Sequence, residues 1–297
     1  MKGGWLTAAG ALGISTAPIL FALSETAPAR GALFRFAYAL PALLLICALR
    51  PSARRSFRRA RWLGLGAASG VFFALDLLMW HRSIELIGAG PATLLVNTQV
   101  VWVGLFGRAF LGQRPSAWFW AALPVLALGM ALLGGATPSG FAAADRLGLI
   151  LGAASSLMYA GALLCLRQAQ MSGAVAPEAA LTVQVVAAMA VVGAAAAWTD
   201  PAPPALAPAQ HLWLVLLGLG PQVLAWFCIA AGIRRLPAYR GSLLLLLQPV
   251  ASLWLGWWIL GQSLGPGRIL GAVGVLAGIF LALTPPRDSA RLSESRG

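Results

Sequence analysis

Apolar runs long enough to cross a bilayer recur ten times along the chain, at about residues 4–24, 31–49, 62–84, 91–111, 116–135, 146–167, 178–198, 210–232, 239–260 and 267–284. At 1.5 Å rise per residue, about 20 helical residues span the ~30 Å hydrocarbon core of a membrane. The breaks between the runs hold Pro, Arg, Asp or Glu, as in RPSARRSFRRAR, GQRPS and TDPAPPALAPAQ. Pro91, Pro177 and Pro266 suit the first position of a helix, where no backbone N–H is needed. The pattern predicts an all-α integral membrane protein with ten transmembrane helices.

The fourth and ninth runs carry one pattern twice. ATLLVNTQVVWVGLFGRAFLGQ, from Ala92 to Gln113, lies 149 positions before GSLLLLLQPVASLWLGWWILGQ, from Gly241 to Gln262. The offset holds without a gap from Ile84–Leu133 to Ile233–Ala282, with twelve identities in fifty pairs. Matches include Gln99/Gln248, Gly107/Gly256, Gly112/Gly261 and Gly129/Gly278. The chain therefore reads as two five-span repeats, residues 1–138 and 139–286, followed by a polar tail at 287–297. An odd number of spans per repeat turns the second copy upside down. Inverted repeats of this kind place the substrate near the midplane, at the interface between the copies.

Composition agrees: 60% of residues are hydrophobic, 10% are charged, and mean hydropathy is +0.82. A soluble domain carries about 25% charged residues. The net charge of +13 could suggest nucleic acid, but its placement points elsewhere. With the N-terminus taken as cytoplasmic, sixteen of the 21 Lys and Arg fall in inside segments, six of them between Arg50 and Arg61. That bias is a topology signal, so no nucleic-acid partner is expected and both termini are placed in the cytoplasm. A signal-peptide reading of the first run, from Lys2 through Ala-Pro-Ala, would leave nine spans and break the five-plus-five symmetry. Cys47, Cys165 and Cys228 lie far apart in apolar runs, and the two histidines form no HExxH, so neither metal nor cofactor is expected.

Polar groups inside the spans are the candidate site. Asp76 is the one acid deep in a span, and such a residue is a functional candidate by default. Helical spacing puts Phe72, Phe73, Met79 and Trp80 on its face. Acid and aromatic groups together suit a ligand with an ammonium group and an apolar side chain. The structural alternative is an Asp hydrogen-bonded to a neighbouring helix. Gln99 and Gln248 occupy matching positions, with Asn97 half a turn away, and Gln222 and Trp226 share a face of the eighth span. Ser15, Ser156 and Tyr159 complete the expected substrate-binding set. Arg35 can either snorkel outward or pair with an acid. His81, Arg82 and Glu85 are expected to form a solvated cluster at the outer end of the third span. Pro18, Pro41, Pro124, Pro221 and Pro249 are expected to interrupt their spans.

Ten spans, a five-span duplication and the LxLLLxxxPV…LGQ pattern resemble the drug/metabolite transporter superfamily in its EamA-type branch. ALGISTAPILFALSE, the Asp76 span and VNTQVVWVGLFGRAFLGQ look most like the YddG-type aromatic amino acid exporters of that branch. The family usually has Glu where Gln113 and Gln262 stand here, and Val100 replaces the proline found at Pro249 in the second half. The resemblance implies a secondary transporter, not an enzyme, that exports amino acids or similar small metabolites across the inner membrane by alternating access. Its partners would be a small-molecule substrate and the lipid bilayer. The rival reading is a multidrug or organic-cation exporter. Small multidrug exporters carry a Glu deep in the first span; here Ser15, Thr16 and Pro18 stand there, and Glu25 lies at the outer end. With no second deep acid to hold a proton, a counter-ion role for Asp76 is favoured over proton coupling.

Overall fold

The computed structural model describes residues 2–58, 60–135, 146–172, 175–199 and 205–284. Among them every regular element is helical, and ten helices are long and apolar enough to span a membrane. The spans run Lys2–Ser24, Pro28–Leu49, Ala60–Ile87, Pro91–Leu111, Ala117–Gly134, Arg146–Met171, Pro177–Thr199, Pro208–Ile233, Ala238–Leu260 and Pro266–Leu283. Each end lies within four residues of its expected position. The boundary expected between residues 138 and 139, and the tail at 287–297, lie outside the described residues.

The packing of the spans repeats the duplication. The third span packs on the sixth and seventh, and the eighth packs on the first and second. The fourth packs on the sixth and ninth, and the ninth also meets the first. The second meets the seventh, the fourth meets the ninth, and the fifth meets the tenth. Exchanging each span with the one five places on leaves this set of pairs unchanged, as two inverted repeats require. The first span is thus part of the bundle, seated against the eighth. The fifth and tenth spans cross closely, because a Cβ at Gly129 would lie 2.7 Å from the Val275 backbone nitrogen. Small residues at such crossings let backbones approach where lipid supplies no hydrophobic drive. Large apolar side chains such as Trp258, Leu270 and Phe280 point outward, at 77%, 64% and 78% exposure, which suits a lipid-facing surface.

The repeated Leu-Gly-Gln is a helix stop. Gly112 and Gly261 both take the left-handed conformation, at φ 61° and 64°. The next amides, of Gln113 and Gln262, bond back to the carbonyls of Gly107 and Gly256 at 3.0 and 3.2 Å. This six-to-one closure uses carbonyls that a helix C-terminus leaves open. The Gln113 side chain then accepts from the Ala238 backbone amide at 2.8 Å, tying the end of the fourth span to the start of the ninth. Gln262 stays exposed.

The basic loops gather at one end. Arg167 Nε donates to the Leu236 carbonyl at 3.1 Å, and Arg234 donates to the Val175 carbonyl at 3.2 Å. The Arg50–Arg61 segment is not an open loop. It forms the helix Pro51–Phe57 and a short turn at Ala60–Trp62, with Trp62 fully buried. Ser56 is buried too: its Oγ accepts from the Ala176 amide at 3.0 Å, and its carbonyl accepts from Trp62 Nε1 at 2.9 Å. Arg55 is exposed, so a thiol probe of sidedness belongs there. With the basic end cytoplasmic, Arg55→Cys should resist a membrane-impermeant thiol reagent on intact cells and react once the cells are opened. Rapid labelling of intact cells would reverse the orientation.

Candidate functional site

Breaks in four spans set where polar groups can sit. The first span stops at Ile14 and restarts at Ala17, with Pro18 inside the new first turn. The fourth breaks at Thr98 and the ninth at Leu246, one position from exact register. Pro249 accounts for the ninth break by its missing N–H. The fourth breaks without a proline, while the Thr98 hydroxyl donates to the Leu95 carbonyl at 2.7 Å. In the eighth span the turn around Pro221 widens into a π-helix over Gly218–Ala225. Such widened turns are frequent at functional sites.

That π-turn builds the centre of the site. A Cβ at Gly218 would lie 3.0 Å from the Arg35 carbonyl oxygen, so its absence lets the second span close on the eighth. Arg35 then turns inward, and its Nε donates to Gln222 Oε1 at 2.7 Å, both residues buried. Its guanidinium also lies 5.8 Å from the Phe73 ring centre, a favourable cation–π placement. Across the bundle, Asp76 Oδ1 accepts from Ser155 Oγ on the sixth span at 2.5 Å, again between buried residues. Tyr159 stands one turn from Ser155 and packs against the buried cluster that holds Phe36, Phe73 and Trp226. The second, third, sixth and eighth spans thus bring a cation, an acid, a phenol and an amide into one layer.

Aromatic packing fills that layer. The Trp226 ring meets Phe73 edge-on at 4.9 Å, and Phe36 meets Phe73 at 5.9 Å. Trp226 Nε1 and Gln222 Nε2, one turn apart, are buried with no hydrogen-bond partner. Buried polar groups in this state carry a desolvation cost that a ligand or water can relieve. Phe72 lies half-buried against the sixth span at Gly161, where a Cβ would come within 3.1 Å of its ring.

Among the described residues, no hydrogen bond or ring contact joins the remaining expected residues to this cluster. Ser15 donates to its own helix at the Leu12 carbonyl, at the break of the first span. Asn97 likewise donates to the Thr93 carbonyl at 2.8 Å. Ser156 accepts from Trp102 Nε1 at 3.0 Å and donates to the Ala153 carbonyl. The two matching glutamines differ: Gln99 is fully buried and reaches the Ser242 carbonyl at 3.4 Å, whereas Gln248 is half-buried and unpartnered. Trp80 lies toward the outer end, its ring 5.2 Å from that of His81.

The solvated cluster expected at His81, Arg82 and Glu85 divides in two. Arg82 and Glu85 form an exposed ion pair at 2.6 Å, one turn apart. His81 instead stacks on Phe21 of the first span at 5.4 Å, with its Nδ1 buried and unpartnered. Helical rotation separates neighbours 81 and 82 by about 100°, enough to put one in the bundle and one in solvent.

Sequence reasoning missed Ser155, which holds Asp76, and left the direction of Arg35 open. Ser155 shares a helix face at i, i+4 with Tyr159, a spacing that could have flagged it beside the tyrosine already expected. Two recesses open at the basic end of the bundle. One, of about 590 Å³, is lined by Arg108, Gln113 and Arg114. The other, of about 710 Å³, is lined by Leu111, Gln113, Arg167, Met171, Arg234 and Pro237. Asp76 lines neither.

No curated protein matches the sequence. A solved structure titled "Crystal structure of protein" superposes at a TM-score of 0.77, covering 95% of this chain and 98% of its own at 17% identity. That likeness shows the fold. The EamA-like transporter family matches twice, over residues 1–135 and 146–284, and so recovers the two halves that the 149-residue offset and the exchange of packed spans had already paired. Membership is thereby shown over nearly the whole chain: this multi-pass membrane protein belongs to the EamA-like transporter family, whose members move small metabolites.

Proposed function

We propose that the protein exports amino acids with apolar or aromatic side chains across the inner membrane by alternating access, with its termini and basic loops in the cytoplasm. The observation that carries this reading is Asp76, an acid in mid-span that is held by Ser155 and flanked by Phe72 and Phe73. A carboxylate is costly in a membrane bundle, and residues of this kind mark substrate and ion pathways. Here it offers an ammonium group a charge and a side chain an aromatic wall. Resemblance to YddG-type exporters points the same way. Breaks in the first, fourth and ninth spans and the π-turn of the eighth offer pivots between repeats 1–138 and 139–286. In the absence of a second deep acid, transport runs down the substrate gradient.

Purified protein in liposomes preloaded with unlabelled amino acid should exchange it for labelled phenylalanine or leucine added outside. The rate should be insensitive to an imposed pH gradient. Movement of tetraphenylphosphonium without movement of any amino acid would replace this reading with the organic-cation exporter.

A further inference from the structure

We infer that Arg35 is the residue that reads the substrate's carboxylate, so that the site selects molecules bearing both an α-carboxylate and an α-ammonium group. This deepens the amino acid reading and rests on it. Arg35 uses only Nε on Gln222, and its two terminal nitrogens make no hydrogen bond. They retain a small solvent-accessible surface, on a residue that is 9% exposed overall. Asp76 is similar: Oδ1 takes the Ser155 hydroxyl, Oδ2 makes no hydrogen bond among the described residues, and the residue is 5% exposed. The two side chains form no ion pair with each other. Each is therefore fixed at one end by a neutral neighbour and makes no hydrogen bond at the other among the described residues.

The internal duplication argues that these charges are not needed for packing. Pro28 and Pro177 open the second and seventh spans 149 positions apart, and at the same offset Arg35 corresponds to Gln184. Gln184 ties the seventh span to the third by donating to Ser69 Oγ at 2.8 Å, as Arg35 ties the second to the eighth. A neutral amide therefore suffices for the equivalent crossing. Asp76 corresponds to Ala225 by the same offset. Burying a charge costs free energy that a neutral residue avoids. Two charges added to one half only, each hydrogen-bonded at one end alone, match the two charges of a zwitterion. A planar guanidinium offering two parallel N–H groups is the geometry that a carboxylate takes best.

The test is equilibrium binding to the purified full-length protein, using L-phenylalanine, L-phenylalaninamide and phenethylamine, with L-leucine and L-leucinamide in parallel. The amides keep the ammonium and side chain and lose the carboxylate charge. Wild type should bind each acid about tenfold or more tighter than its amide, as expected when a buried charge loses its partner. Arg35→Gln should bring that ratio close to one by weakening the acid and leaving the amide nearly unchanged. Arg35→Lys should retain part of it. Equal wild-type binding of acid and amide would overturn the inference even if Arg35→Gln fails to fold. So would a wild-type ratio that survives in a folded Arg35→Gln. In both cases amino acids are still bound, so the amino acid reading stands and only the role of Arg35 falls. Binding of phenethylamine with no binding of either amino acid removes both.

Discussion

Asp76→Asn should weaken amino acid binding and exchange about tenfold to a hundredfold while leaving the bundle folded, because the change removes one charge and little else. Asparagine keeps an oxygen that can accept from Ser155 Oγ, so the tie between the third and sixth spans survives. What changes is the other end: Oδ2 becomes an amide nitrogen, a donor that cannot attract an ammonium group. The variant should lose affinity for phenylalanine and phenylalaninamide alike, since both carry the ammonium. Arg35→Gln, in contrast, should lose affinity for the acid alone. Measured side by side, the two variants separate the ends of the substrate. Sensitivity to a pH gradient should stay as in wild type. Unchanged exchange in Asp76→Asn would retire the counter-ion role. Loss of proton-driven accumulation alone would move Asp76 to proton coupling.

Gly129→Leu should lower the melting temperature by on the order of 10 °C. Overpacking a tight site costs about 1–3 kcal/mol and sometimes more, and each kcal/mol is worth about 2–4 °C in a chain of this size. The cost falls at the high end here because the obstacle is backbone. A Cβ at Gly129 would lie 2.7 Å from the Val275 nitrogen, 2.9 Å from the Gly274 carbonyl carbon and 3.0 Å from the Gly271 oxygen. No side-chain rotation relieves those contacts, so the fifth and tenth spans must separate. Gly267→Ala is the control: its added methyl meets nothing within 4 Å, and the melting temperature should stay within about 2 °C of wild type. A Gly129→Leu protein that melts with wild type would show that this crossing contributes little to stability.

The spans were legible because the bilayer imposes a length and a composition that each run must meet by itself. Ten runs of about 20 apolar residues leave little freedom in assigning helices. The duplication was legible for a related reason. Gly112 and Gly261 must adopt left-handed conformations, so those letters match at a constant offset, while the amides that close the helix ends behind them are backbone groups that any residue but proline supplies. The site was legible only in part. Asp76 announced itself by charge. Its partner Ser155 did not, since serines in membrane helices commonly bond to their own backbone, as Ser15 and Ser156 do. The fourth-span break at Thr98 was hidden because no proline marks it.

By itself, the sequence determined the all-helical class, the number of spans, the inverted duplication and the gathering of basic loops on one side. Each follows from local rules: hydrophobic length, chain parity and charge placement. Only the tertiary structure decided what the polar residues do. Arg35 could have reached outward along its own helix, and it turns inward because Gly218 and the π-turn at Pro221 bring Gln222 within 2.7 Å. Gln99 and Gln248 share a letter and a register, yet one is buried against the ninth span and the other is half-exposed. Ser56 sits among six arginines and is nonetheless buried beneath Trp62. Such outcomes depend on which helix lies opposite and how closely it approaches, a property of pairs of spans distant in sequence that the pattern of one span does not contain.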